Sequence, residues 1–124
     1  MPDRPRVLIA EDHPAVAKAV CRVLALDCDV VGTVANGSAV LEAAQRLQPD
    51  VIVIDLNLPE VDGLEACRQI TQADPGVKVI VFSAMIDPDV MRRSFEVGAS
   101  AFVSKLAANG ELLSTIKRLC IDRG

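Results

Sequence analysis

The 124-residue sequence has few aromatic residues: three Phe, no Trp and no Tyr. It also lacks an excess of positive charge, because 13 Lys and Arg stand against 17 Asp and Glu and give a net charge of −4. Nucleic-acid-binding surfaces usually combine basic residues, which contact phosphates, with aromatic residues, on which bases stack. We therefore expect no direct nucleic-acid binding by this chain.

Long apolar runs are absent too. No run reaches the roughly 18 residues that a membrane-spanning helix needs. The N-terminal segment MPDRPRVLIAED has no apolar stretch of signal-peptide length before its acidic residues. The sequence therefore predicts a cytoplasmic protein that does not enter a membrane.

Cysteine spacings typical of metal or redox centres do not occur. There is no CxxC pair and no Cys/His pattern suited to zinc. A cysteine among apolar neighbours in a reducing compartment is by default a buried or half-buried thiol outside any disulfide. We expect this of all four cysteines: Cys21, Cys28, Cys67 and Cys120.

Short apolar runs rich in Val and Ile alternate with longer stretches of helical periodicity. The expected strands lie near residues 6–10, 30–34, 51–54, 77–82 and 100–104. The expected helical stretches cover residues 15–26, 38–47, 64–72, 89–97 and 111–120. Nearly continuous apolar strands are typical of sheets covered on both faces. The pattern predicts one α/β domain over residues 1–124, a (βα)5 doubly wound, five-stranded parallel sheet with helices on both faces.

Residues typical of helix ends support these boundaries. Pro14 and Pro88 stand where a first helical turn would begin, and Asp87 suits the N-cap of the second of these helices. Gly98 follows a helical stretch and suits a left-handed C-terminal cap. These residues predict where the first and fourth helices begin and where the fourth ends.

The stretch VIVIDLNLPEVDG, residues 51–63, ends a buried strand on the carboxylate Asp55. Other strands are followed by polar side chains as well, namely Glu11 and Asp12 after the first, Ser83 after the fourth and Lys105 after the fifth. In an open parallel sheet, ligands bind beyond the carboxyl ends of the strands, where strand order reverses. We therefore expect these residues, distant in sequence, to converge on one pocket.

Three carboxylates in one pocket would repel one another. Two such charges about 4 Å apart cost on the order of 4 kcal/mol at an effective dielectric of about 20. A hard divalent cation offsets this repulsion, and Mg²⁺ prefers oxygen ligands. We expect a Mg²⁺ site formed by Glu11, Asp12 and Asp55, with the backbone carbonyl of Asn57 as a further ligand.

A lysine and a hydroxyl across the same pocket would bind an anion. Lys105 is expected to pair with a phosphoryl oxygen, and Ser83 to donate a hydrogen bond to another. Phosphoryl transfer consists mostly of positioning and charge neutralisation, so Mg²⁺, a lysine and a carboxylate nucleophile suffice for it. Asp55, expected at the centre of the sheet, is the best candidate nucleophile.

Each of these residues also has a purely structural interpretation. Asp12 could help to cap the first helix, Ser83 could be a turn hydroxyl, and Lys105 could be a solvated surface residue. His13, the only histidine, is interpreted as structural because it precedes Pro14 at a helix start. The pocket is favoured because an acid pair, an acid, a hydroxyl and a lysine follow four of the five predicted strands.

These motifs together resemble the receiver domain of two-component response regulators over residues 6–121. The resemblance is carried by VLIAEDHP, VIVIDLNLPEVDG, IVFSA and GASAFVSK. It implies a flavodoxin-like sheet with strand order 2-1-3-4-5. It also implies that Asp55 is the phosphoacceptor, that Glu11 and Asp12 bind Mg²⁺, and that the main-chain carbonyl of Asn57 coordinates the metal.

The resemblance implies roles for the remaining pocket residues and for the partners. Ser83 and Lys105 would contact the phosphoryl group, and Ser83 with Phe102 would form the conformational switch. The phosphoryl donor would be a phosphohistidine on a sensor histidine kinase or a histidine phosphotransfer protein. Activation would reshape the surface of the fourth helix, fifth strand and fifth helix, through which a phosphorylation-dependent homodimer is plausible.

Two positions depart from the common receiver pattern. Leu106 stands where many receivers have a proline, often after a cis bond, and a cis bond before a residue other than proline costs about 2.5–4 kcal/mol. Phe102 lacks the hydroxyl of the commoner tyrosine, so a switch here would depend on packing. The EDHP motif is similar to that of regulators with LuxR-type output domains, and this chain is expected to be a stand-alone receiver or the receiver part of a longer protein.

Other classes of protein fit the sequence less well. A haloacid-dehalogenase-like phosphatase also has a strand-end Asp nucleophile, but its second Asp is replaced by Asn57, and Asp55 follows the third strand rather than the first. A flavodoxin would need Trp or Tyr beside its flavin and a phosphate-cradling loop after the first strand. A binding module with an inactive pocket would bind no Mg²⁺ and is disfavoured because every pocket group is present. We therefore expect a signalling switch rather than an enzyme with an external substrate.

Overall fold

The computed structural model describes residues 4–84, 86–107 and 110–121. Its five strands are β1 (Arg6–Ala10), β2 (Asp29–Val34), β3 (Val51–Ile54), β4 (Lys78–Ser83) and β5 (Ala101–Ser104). Its five helices are α1 (Pro14–Leu24), α2 (Ser38–Leu47), α3 (Gly63–Ala73), α4 (Pro88–Glu96) and α5 (Gly110–Ile121). The strict strand–helix alternation that the sequence predicts is confirmed.

The strands form one parallel sheet in the order β2-β1-β3-β4-β5. This order confirms the predicted topology. The chain adds β2 on one side of β1 and β3 on the other, so the order reverses between β1 and β3. In register, Ala10 of β1 lies beside Ile54 of β3. The residues that follow these two strands therefore emerge next to each other at the reversal, where open α/β sheets bind ligands.

The sheet is covered on both faces, and its inner strands β1 and β3 are apolar at nearly every position. One face packs against α2 and α3, through residues such as Ile54, Val81, Val40 and Ile70. The other face packs against α1 and α5, through residues such as Ile9, Val53, Leu24 and Ile116. Full burial of a Val, Leu or Ile side chain stabilises the folded state by about 1.5–3 kcal/mol. These two layers fix the strand ends that carry the polar residues.

Three of the strands differ by a single residue from their predicted boundaries. β2 begins at Asp29 rather than 30, and β5 begins at Ala101 rather than 100. β4 covers residues 78–83 rather than 77–82, because Val77 still belongs to the turn after α3. The Val77 amide donates to the Asp74 carbonyl over 3.2 Å, and the Gly76 amide donates to Asp74 Oδ1 over 3.0 Å.

The predicted helix ends have a clear physical basis. Pro14 and Pro88 begin α1 and α4, where a missing N–H costs nothing. The Asp87 side chain caps α4 by accepting a hydrogen bond from the Asp89 amide, which confirms that prediction. Gly98 after α4 has a φ of 107°, a conformation that disfavours residues with a Cβ. The sequence therefore identified these ends correctly.

None of the four cysteines takes part in a disulfide. Cys28 and Cys67 are buried, and burial raises the pKa of the Cys67 thiol to about 11. Within residues 4–84, 86–107 and 110–121, no helix combines the length and the apolar character needed to cross a bilayer.

Candidate functional site

The backbone ladder of the sheet brings Glu11 and Asp55 together. The Asp55 amide donates to the Ala10 carbonyl over 3.0 Å, so Asp55 continues β3 beside the end of β1. The Glu11 amide donates to the Val34 carbonyl over 2.9 Å and extends β1 in the same way. Both carboxylate side chains are only 3% exposed. Buried acids at neighbouring strand ends require compensation by a cation.

Lys105, which directly follows the edge strand β5, provides that compensation. Its amide donates to the Ser83 carbonyl over 2.8 Å, which fixes the backbone just beyond β5. Its ammonium Nζ lies 2.6 Å from Glu11 Oε1 and 3.0 Å from Asp55 Oδ2. Charge-assisted hydrogen bonds of this length are among the stronger polar interactions in proteins. The ammonium also lies 5.8 Å from the centre of the Phe82 ring.

The surroundings of Lys105 act on its pKa in opposite directions. Burial lowers the pKa of the ammonium, but the hydrogen bonds to Glu11 and Asp55, together with their negative charge, raise it by more. The net effect is a pKa above the ordinary value of 10.5. Lys105 is therefore held as a fixed positive charge between the two carboxylates.

The peptide bond after Lys105 is trans, since the described residues contain no cis peptide bond. The absence of a proline at Leu106 therefore does not keep Lys105 from the pocket. The Leu106 amide donates to Ser104 Oγ over 3.0 Å, and this hydrogen bond stabilises the turn. Leu106 itself is 76% exposed, so its side chain takes no part in core packing.

Asp12 and His13 complete an acidic cluster at the start of α1. Glu11, Asp12, His13 and Asp55 each offer one ligand atom, and these four atoms lie within 4.8 Å of one another. His13 Nδ1 lies 3.1 Å from Glu11 Oε2 and 3.2 Å from Asp12 Oδ1. The hydrogen bond to Glu11, with the charge of Asp12, raises the pKa of His13 above 6.5.

The donor set of this cluster fits a divalent cation. Asp12 Oδ1 is buried and makes no hydrogen bond to any residue that the structure describes, which is an unfavourable state for a carboxylate oxygen. When ionised, Glu11, Asp12 and Asp55 carry three negative charges, of which Lys105 balances one. Carboxylate oxygens at strand ends are the ligands that Mg²⁺ prefers. The cluster could therefore hold a metal ion, with Asp12 Oδ1 as an available ligand atom.

The loop between β3 and α3 turns closely around Asp55. The Asn57 amide donates to Asp55 Oδ1 over 3.1 Å, and the Gly63 amide donates to the Leu56 carbonyl over 3.1 Å. A Cβ on Gly63 would lie 2.4 Å from the Asp55 carbonyl, so only glycine allows α3 to begin this close to the strand end. The side chain of Asp62 caps α3 by accepting from the Glu65 amide. Asn57 is thereby held directly beside the candidate nucleophile.

Ser83 and Phe102 lie on adjacent strands near this pocket. Ser83 is fully buried at the end of β4 and lies beside Ser104 of β5 in register. Phe102 lies beside Val81 and is partly buried, packed against the core layer to which α2 and α3 also contribute. Met85, which the sequence predicts to flank the pocket, lies outside the described residues.

As their positions after strands predicted, Glu11, Asp12 and Asp55 lie in one cluster, and Lys105 contacts two of them. The structure also brings the imidazole of His13 into this cluster, a placement that the sequence did not predict, while the structural role expected of His13 stays a prediction. His13 is the N-cap residue of α1, yet its side chain makes no capping hydrogen bond. Its position directly after the acid pair in EDHP was the one available signal.

Comparisons with known proteins agree with this architecture. The sequence matches the family model for the response regulator receiver domain over residues 7–117. It is 33% identical over 115 residues to the response regulator GacA of Pseudomonas viridiflava, a match that covers 90% of this chain and 53% of that protein. The chain thus spans about half the length of this curated relative.

Solved structures give the same result. A two-component response regulator of the LuxR family from Aurantimonas sp. SI85-9A1 superposes with a TM-score of 0.90 at 28% identity, covering 94% of this chain and 85% of that one. The signal receiver domain of the putative response regulator NarL from Mycobacterium tuberculosis also gives 0.90 at 28% identity, with 95% and 97% covered. The chain belongs to the family of response regulator receiver domains and is a component of two-component signalling.

Proposed function

We propose that the chain accepts a phosphoryl group on Asp55 from a phosphohistidine of a sensor histidine kinase or a histidine phosphotransfer protein. The observation that carries this proposal is the contact of one ammonium, Lys105 Nζ, with both Glu11 and Asp55 at the reversal of strand order. A carboxylate held there beside a fixed cation suits phosphoryl transfer, which depends on positioning and charge neutralisation. The proposed role is that of a switch and not of an enzyme with an external substrate.

The residues around Asp55 have distinct tasks in the transfer. An oxygen of Asp55 attacks phosphorus, the new O–P bond forms as the P–N bond of the phosphohistidine breaks, and the departing donor imidazole takes up a proton from solvent. Lys105 balances the charge of the arriving phosphoryl oxygens, and Ser83 donates a hydrogen bond to one of them. Asn57, whose amide holds Asp55 Oδ1 at 3.1 Å, keeps the carboxylate oriented.

A Mg²⁺ ion is the expected cofactor of this reaction. Its ligands would be Glu11, Asp12, Asp55 and the main-chain carbonyl of Asn57, of which Asp12 Oδ1 is buried without a hydrogen-bond partner. When bound, Mg²⁺ supplies charge neutralisation for the carboxylates and the phosphoryl oxygens. Glu11 would then divide its two oxygens between the cation and Lys105.

Phosphorylation would alter the surface formed by α4, β5 and α5 through Ser83 and Phe102. α4 suits such a change because Ser94 is its only buried residue, whereas α3 buries four. An element with few buried contacts moves at low free-energy cost. Phe95 of α4 and the preceding Ile86 are 48% and 59% exposed, and apolar groups of this kind could be covered in a phosphorylation-dependent homodimer.

The downstream action of this single receiver domain lies in a partner or in an output domain. Because the chain spans about half of the curated relative it resembles, we propose that it controls such a domain. Because the relatives include a transcriptional regulatory protein and a LuxR-family response regulator, transcription control through a DNA-binding domain is the favoured output. The chain itself would contact no DNA, and we expect it to act in the cytoplasm.

Phosphodonor labelling tests the proposal. The chain is incubated with acetyl phosphate, with and without Mg²⁺, and intact mass is measured. We expect one added phosphoryl group only with Mg²⁺ and none in Asp55→Asn. Asp27→Asn is the matched control, because Asp27 lies on the surface near Lys117 and away from the pocket. Labelling that persists in Asp55→Asn would refute the assignment, and turnover of an external phosphomonoester would favour a phosphatase instead.

A further inference from the structure

The imidazole of His13 faces the carboxylates rather than the helix that it precedes. It makes no capping hydrogen bond to α1. Its Nδ1 instead lies 3.1 Å from Glu11 Oε2 and 3.2 Å from Asp12 Oδ1, and the side chain is otherwise 67% exposed. An exposed side chain could point into solvent, so its approach to two acidic oxygens requires an explanation.

These distances fit ligands that share one cation. Two ligand atoms bound at about 2.0–2.2 Å, at angles close to those of an octahedron or a tetrahedron, lie about 2.8–3.6 Å apart. Both separations of His13 Nδ1 fall in this range. The four ligand atoms of the cluster lie within 4.8 Å of one another, and opposite ligands of an octahedral cation are about 4.0–4.4 Å apart. Small side-chain movements would therefore close the cluster on an ion.

Asp12 provides an independent observation. Its Oδ1 atom is buried and has no hydrogen-bond partner, although His13 Nδ1 is only 3.2 Å away. This contact is not a hydrogen bond, so it leaves the oxygen unsatisfied. A cation placed between the imidazole and the two carboxylates would satisfy this oxygen and replace the proton shared by His13 and Glu11.

We propose that His13 Nδ1 is an additional ligand of the metal site and raises its affinity for first-row transition-metal dications more than its affinity for Mg²⁺. Oxygen-only sites suit Mg²⁺, whereas an imidazole nitrogen favours cations such as Co²⁺, Ni²⁺ and Zn²⁺. The neutral imidazole binds the cation, and any proton on Nδ1 passes to solvent. The inference rests on the metal site of the proposed function and adds a nitrogen ligand to it.

Calorimetric titration of Mg²⁺ and Co²⁺ into the chain, with any histidine tag removed, tests this selectivity. We expect His13→Ala to weaken Co²⁺ binding by roughly tenfold or more and Mg²⁺ binding by much less, because the nitrogen ligand matters chiefly for Co²⁺. His13→Asn is the matched variant. Asn is a good N-cap residue and keeps a polar side chain beside the acids, but it lacks the imidazole nitrogen.

A spectroscopic measurement identifies the ligand directly. Because His13 is the only histidine, a Co²⁺ complex should show one hyperfine-shifted, exchangeable imidazole N–H resonance, which both variants lose. If Co²⁺ binds without this resonance and both variants keep the Co²⁺ preference, His13 is no ligand, while the oxygen site stands. If neither cation binds the wild-type chain, the metal site of the proposed function fails together with this inference.

Discussion

At the scale of single residues, the site is controlled by one lysine shared between two buried acids. Lys105 Nζ contacts Glu11 and Asp55, whose side chains are almost fully buried. Breaking a buried ion pair by removing one partner leaves an uncompensated charge, which typically costs about 3–5 kcal/mol. A surface pair such as Lys117 with Asp27, 3.5 Å apart and about half exposed, contributes only about 0–1 kcal/mol.

We therefore expect Lys105→Met to destabilise the metal-free chain by about 3 kcal/mol or more, and Lys117→Met by less than about 1 kcal/mol. Urea titration in a buffer that contains a chelator gives the free energy of unfolding of both variants. Adding Asp55→Asn to Lys105→Met should recover part of the lost free energy of unfolding, because it removes one of the two buried carboxylates that no longer have a cation. Equal effects of the two lysine substitutions would show that Lys105 is no more than a solvated surface residue.

At the scale of elements, the loop that follows β3 is held in place by the loop before α2. The Gly37 amide donates to the Pro59 carbonyl over 3.1 Å, and Ser38 Oγ donates to Glu60 Oε1 over 3.0 Å. Glu60 has a φ of 71°, an unusual value for a residue with a Cβ. A side chain at Gly37 would collide with Val61 in the loop after β3, so the close approach of the two loops depends on this glycine.

A methyl group at position 37 would break this contact. The Cβ of Gly37→Ala would lie 1.6 Å from the Val61 carbonyl oxygen, so one loop must move. We expect a loss of about 1–3 kcal/mol, which is typical of overpacking. Gly110→Ala is the control, because a Cβ there meets nothing within 4 Å and should be neutral or mildly stabilising. Urea midpoints that fall equally in both variants would contradict the proposed role of the loop contact.

At the scale of the whole molecule, the sequence predicted the alternation of strands and helices because most strands are compact apolar runs. The 2-1-3-4-5 order came from the resemblance to receivers, since apolar periodicity does not specify which strands are neighbours. The rule that ligands bind beyond the carboxyl ends of parallel strands then predicted, before any distance was known, that Glu11, Asp55 and Lys105 lie together. It could not identify His13, because a loop side chain next to a proline obeys no periodic rule, and its rotamer is set by contacts that form only after folding.

Cys67 of α3, which lies in one of the two core layers, allows a prediction about the cooperative unfolding of the whole molecule. This thiol is fully buried, and burial raises its pKa to about 11, so little reactive thiolate exists near pH 8 in the folded chain. Cys21 of α1 is half-buried and serves as the internal comparison. We expect iodoacetamide to modify Cys21 readily and Cys67 only through unfolding, with a rate that rises with urea as the free energy of unfolding falls. Peptide mass spectrometry would follow both sites. Labelling of Cys67 as fast as Cys21 without urea would mean that α3 opens without the rest of the molecule, and the core on that face would then not be part of one cooperative unit.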